Sequence, residues 1–255
     1  WKVPARHSDG GWFDYRDPDP WLYIHLAYIS QSKEDFARID EVFPDRSSFS
    51  GLPPNWGAGK AGICPPMAWH LWNEGGNPDF PQQVLETTQS SMQRALEKIE
   101  ADDSDPETRE CYHFQALNPV VPEALVQLTL GTPAALYNGG LLQSHLLYFD
   151  AEQRRPGLPD GVAARVEHVS ADHAETVLVN TDDLHPRQLL VQAGAFGEHT
   201  FTGGVVVDPD GTSTPIQIDT GPHVTVDLGP GAQIRLRLEM KRFVHRPSYD
   251  GPWRQ

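Results

Sequence analysis

The stretch Arg154–Gly161, RRPGLPDG, decides how this chain is read, because the side-chain pattern changes period across it. Two prolines and two glycines in eight residues suit neither a helix interior nor a central strand. Downstream, apolar and polar residues alternate. Ile234, Leu236, Leu238 and Met240 are spaced by two, and so are Val224, Val226 and Leu228. Such alternation belongs to a strand with one buried and one wet face. Seven runs read this way: ARVEHV, ETVLVNT, RQLLVQA, HTFTGGVVV, TPIQI, HVTVDL and QIRLRLEMKRF, with the turn DPDG at 208–211 among them. Seven short strands with no helix between them predict an antiparallel β-sandwich.

Upstream, from about 18 to 148, the spacing is three and four. One helical stripe runs through Trp21, Ile24, Tyr28, Phe36, Ile39 and Phe43, interrupted by Ser32. A second runs through Val84, Thr88, Met92, Leu96 and Ile99, with Asp79 as its N-cap and Pro81 in its first turn. Asp105-Pro106 and Pro122 open two more helices, and Gly131 closes the last of these. The fold class read from the pattern is α+β: N-terminal helical hairpins, a partial α/α toroid, followed by the sandwich. The segments are 1–153 helical, 154–161 hinge and 162–247 β-sandwich.

Composition narrows the partners. The chain has 255 residues and a formal net charge of -15, which repels phosphate backbones and argues against nucleic acid. No run approaches the ~20 apolar residues of a membrane helix. Cys64 and Cys111 permit one disulfide but no framework, so the redox compartment stays open. The sequence starts at Trp1 without a signal-peptide pattern, and is read as a processed chain or a fragment. No HExxH, HxH, GxSxG or GxGxxG motif occurs, and GAGKAG at 57–62 lacks phosphate-loop spacing. No metal or cofactor is expected.

ETVLVNTDD at 175–183 and HVTVDLGPGAQIRLRL at 223–238 resemble the C-terminal β-sandwich appended to many glycoside hydrolases. A helical hairpin array before such a sandwich is similar to the layout of hydrolases and polysaccharide lyases built on an α/α toroid. The resemblance implies an oligo- or polysaccharide substrate and glycosidic bond cleavage by hydrolysis or elimination. It transfers no catalytic residue.

Candidate chemistry is therefore read from the residues. In AWHLWNEGGNPDFP, residues 68–81, Trp69 and Trp72 share one helical face, and His70 and Glu74 share another. The tryptophans are either core or an aromatic wall for a sugar ring, and His70–Glu74 is either a surface pair or part of a site. Trp56 lies in a Gly/Pro-rich loop that suits binding better than packing. Asp14, between GGWF and YRDPDP, offers a carboxylate, although Asp before Pro nearby also serves turns. His113 and Tyr137 are bases suited to elimination, and Asn138 is a neutral donor. The candidates are Asp14, Glu74, His113 and Tyr137 for catalysis, and Trp56, Trp69, Trp72, His70 and Asn138 for binding. A non-catalytic assembly module, with a homo-oligomer as partner, and an enzyme for a small non-sugar molecule are the alternatives.

Overall fold

The computed structural model describes residues 2–50, 65–110, 113, 117–133 and 143–253. The chain is mixed α+β, with helices mostly first and antiparallel strands after them. It opens on a hairpin that periodicity missed, β1 (Val3–Ser8) and β2 (Gly11–Arg16). Ser8 faces Gly11, so Asp9-Gly10 is a two-residue loop. Asp-Gly between strands was the available signal.

The long stripe expected over 19–43 is two helices, α1 (Pro20–Ser30) and α2 (Lys33–Val42). The break is written in the one polar member of the stripe. Gln31 turns left-handed at φ 54° to end α1, and the Ser32 hydroxyl accepts from Asp35 N to start α2. Next come α3 (Pro66–Asn73), α4 (Phe80–Glu100) and α5 (Glu123–Leu130). α4 buries Phe80, Val84, Thr88, Ser91 and Ala95. Met92, Leu96 and Ile99, expected on the same stripe, are 40–43% exposed. The helix carries apolar residues over two adjoining faces, and only one meets the core.

Strands begin at Leu146, inside the segment read as helical. β3 (Leu146–Asp150) and the short β4 (Arg155–Pro156) precede all seven expected strands. These are β5 (Val162–Val169), β6 (His173–Asn180), β7 (Arg187–Ala193), β8 (Thr200–Val207), β9 (Ser213–Ile216), β10 (His223–Leu228) and β11 (Gln233–Lys241). One sheet has the order β10-β7-β3-β4, the other β5-β6-β11-β8-β9. Leu189 and Val226 of the first and Leu178, Leu236 and Leu238 of the second enter one core with Tyr28, Trp69 and Phe80 of the helices. Tyr148 Oη and Thr176 Oγ1, 3.2 Å apart, link the two sheets. Helices α3 and α5 pack on β5. Gly131 makes the second contact possible: a Cβ there would stand 2.7 Å from Val166 Cγ1, and its φ of +68° ends α5. No helix among the described residues is long and apolar enough to cross a membrane.

Candidate functional site

The side chain that ties helices to sheet is Asn73, at the end of α3 and buried. Its Oδ1 accepts from Val169 N at 2.7 Å, and its Nδ2 donates to Val169 O at 3.0 Å. Nδ2 also donates to Tyr28 Oη of α1 at 2.8 Å. The Asn73 carbonyl accepts from His168 Nδ1 at 2.6 Å. One residue thus stitches α1, α3 and β5 together and satisfies both backbone groups of a strand end that water does not reach.

Behind this clasp lies a buried polar chain. Tyr28 Oη accepts from Asn73 and lies 3.0 Å from His70 Nδ1, within hydrogen-bond distance. Burial, and then the nearby Arg46, push the His70 pKa down to about 4. Gln31 Nε2 donates to the Tyr28 carbonyl and lies 3.2 Å from His145 Nε2. Burial holds the His145 pKa well below its usual value, with Arg242 and His199 adding to the shift. These imidazoles are neutral structural groups.

In front of the clasp, an open cleft of about 370 Å³ lies between α2, the end of α3 and the β5–β6 turn. Clefts of this size are typical of small-molecule sites. Its apolar lining includes Phe36, Ala37 and Val169. Its polar lining includes Asp40, Glu74, Asp172, Lys33 and His168. With Nδ1 given to Asn73, His168 has Nε2 as its remaining nitrogen. Glu74 Oε1 is 3.3 Å from Asn73 Nδ2, whose two hydrogens are engaged more closely by Tyr28 and Val169.

Ser170, Asp172 and His173 meet at the same turn but do not form a hydrolytic triad. Ser170 Oγ at 2.7 Å and Asp172 Oδ1 at 2.9 Å both sit on His173 Nδ1. A triad needs the nucleophile on one ring nitrogen and the carboxylate on the other. Hydrogen bonds from His173 first, then from Ser170 and Lys33, hold the Asp172 pKa well below the usual carboxylate range. Asp172 is an anchored anion.

Of the expected site residues that are described, the structure brings only Glu74 to the cleft. Trp69 is core, 0% exposed, with its ring 4.8 Å from that of Tyr28, so it offers no stacking surface. His70 is buried as well, and does not pair with Glu74. Trp72 is half-buried against Phe80. Asp14 lies in the N-terminal hairpin at φ 57°, paired with Arg16 and Arg6. His113 is engaged by Asp102 at 2.8 Å. That carboxylate is held low by Ser104 first and by His113 second. Neither Asp14 nor His113 lines the cleft. Trp56, Tyr137, Asn138, Cys64 and Cys111 lie outside the described residues. Asp40, His168 and Asp172 escaped the sequence reading. Asp40 sat on an ordinary charged helix face, and the other two in a strand end and turn with no motif. Among the described residues no group of three or more His, Cys, Asp and Glu could hold a metal ion.

Residues 2–126 match the model of a family described as a domain of unknown function, DUF8034. No curated protein and no solved structure matches the chain. The matched span takes in the hairpin, α1 to α4 and the start of α5, and stops before both sheets. The cleft therefore straddles its edge: Asp40 and Glu74 fall inside the span, His168 and Asp172 outside it.

Proposed function

We propose that the protein acts on carbohydrate and cleaves a glycosidic bond in the cleft between α2, α3 and the β5–β6 turn. The observation that carries this reading is that two carboxyl side chains, Asp40 and Glu74, line one cleft together with apolar Phe36 and Ala37. A sugar ring offers C–H faces to apolar groups and hydroxyls to polar ones. Glycosidic hydrolysis needs one carboxylic acid and one carboxylate. In this reading the helices belong to an α/α toroid and the two sheets form the β-sandwich that follows it. The substrate class is an oligo- or polysaccharide, and the bond breaks by hydrolysis or elimination.

The test is a panel of polysaccharides incubated with the full chain, read for new reducing ends and for the absorbance of unsaturated uronates. Activity is expected on at least one. Glu74→Gln and Asp40→Asn are each expected to lower it about 100-fold or more, the usual scale of acid–base catalysis. Silence in both readouts across the panel refutes the reading.

A second reading, a homo-oligomeric assembly module, is favoured by exposed apolar surface. Leu22, Leu26 and Ile29 of α1 are about half exposed or more, and α4 shows Leu85, Met92, Leu96 and Ile99. Apolar stripes of this kind mark interaction sites. A defined oligomer by light scattering, dissociated by Met92→Glu and Leu96→Glu together, supports it. A monomer at high concentration refutes it.

A further inference from the structure

The charge balance of the cleft restricts what it can hold, and this argument rests on the carbohydrate reading above. Lys33 Nζ, at the cleft, lies 3.2 Å from Asp172 Oδ2. Arg46 is ion-paired to Asp40, and Arg38 to Asp35 further along α2. Each of these cations already meets a carboxylate. Glu74 has no such counter-charge among the described residues. Its hydrogen-bond neighbour is the Asn73 amide, whose hydrogens are committed elsewhere. His168 gives its Nδ1 proton to the Asn73 carbonyl, so that proton does not serve a ligand.

We infer that the cleft takes a neutral or amine-bearing sugar unit rather than a uronate, and that cleavage there is hydrolytic. Elimination removes the proton α to the uronate carboxylate and breaks the bond to the oxygen at the β carbon. The electron pair of the broken C–H bond becomes the new double bond, and the leaving oxygen is protonated. That path requires a cation or strong donor on the uronate carboxylate to stabilise the charge that develops there. Among the described residues this cleft instead presents an anion, Glu74, with no cation against it. Hydrolysis suits it. One carboxylic acid gives its proton to the leaving oxygen as the C1–O bond breaks. The other carboxylate takes a proton from a water whose oxygen bonds to C1. Asp40, ion-paired to Arg46, is the carboxylate of the pair, and Glu74, which no cation faces among the described residues, takes up a solvent proton and is the acid. The chain's net charge of -15 adds long-range repulsion against polyanions.

The test is isothermal titration of the full chain at low salt with three tetrasaccharides: a neutral glucan, a glucosamine oligomer and a galacturonate oligomer. The glucosamine oligomer is expected to bind about three- to tenfold more tightly than the neutral one, the scale of a single solvent-screened charge contact. The galacturonate oligomer is expected to bind at least that much more weakly. Glu74→Gln is expected to bring the glucosamine and neutral affinities within about twofold of each other. Galacturonate binding as tight as the neutral oligomer overturns this inference and leaves the carbohydrate reading standing. An amine preference that survives Glu74→Gln overturns the assignment to Glu74. Binding of none of the three overturns the carbohydrate reading, and this inference with it.

Discussion

Replacing Asn73 by alanine tests the claim that one side chain docks the helices on the sheet. The substitution removes the acceptor of Val169 N and the donor to Val169 O, bonds of 2.7 and 3.0 Å. Val169 is 0% exposed, so water does not replace them. Tyr28 keeps its hydrogen bond with His70 and loses only the Asn73 donor. Two orphaned backbone groups at about 1–3 kcal/mol each set the cost near 3 kcal/mol. The assay is urea unfolding followed by circular dichroism, with Gln82→Ala as a control. Gln82 is exposed and its side chain bonds to Glu86 one turn away, so its loss is expected to stay within about 0.5 kcal/mol. Hydrogen exchange at the Val169 amide supplies a local readout, because an unpaired amide at an opened strand end exchanges faster. A loss below about 1 kcal/mol, with the Val169 amide still protected, refutes the reasoning.

Stability is expected to fall as the pH drops below 6.5. Burial lowers the pKa of His70 to about 4 and that of His199 to about 3, and lowers that of His145 in the same direction. The unfolded chain then binds protons that the native state refuses, so the stabilisation is full above pH 6.5 and is lost progressively towards pH 4. Melting temperatures from pH 8 to pH 4 check this, and a flat profile contradicts it. Gly131→Ala is expected to cost at least about 1 kcal/mol for its left-handed backbone alone. The contact 2.7 Å from Val166 Cγ1 adds to that cost, and the urea midpoint measures the sum. An unchanged midpoint means that α5 does not seat closely on β5.

Periodicity identified backbone geometry wherever a segment had one wet face. β11 alternates exposed Arg235, Arg237 and Glu239 with buried Leu236, Leu238 and Met240, and its pattern is legible without any partner. β3 was not legible, because LLYFD is a nearly continuous apolar run whose side chains are buried on both faces. The break between α1 and α2 was present in the sequence as Ser32, but a single polar residue in a stripe reads equally well as a tolerated exception. Glu74, read from sequence through its place at the end of a short aromatic helix, is the one candidate among the described residues that lines the cleft.

By itself the sequence determined the seven C-terminal strands, the helical character of most of the segment before them, and the acidity of the surface. These depend on residues within a few positions of one another. Only the tertiary structure decided that Trp69 and His70 are interior, that α4 buries the stripe of Ser91 and Ala95 rather than that of Leu96, and that Glu74 shares a cleft with Asp40 and His168. Each of these outcomes depends on which element docks against which. The bond that fixes the docking, Asn73 to Val169, spans 96 residues, a separation over which local spacing carries no information.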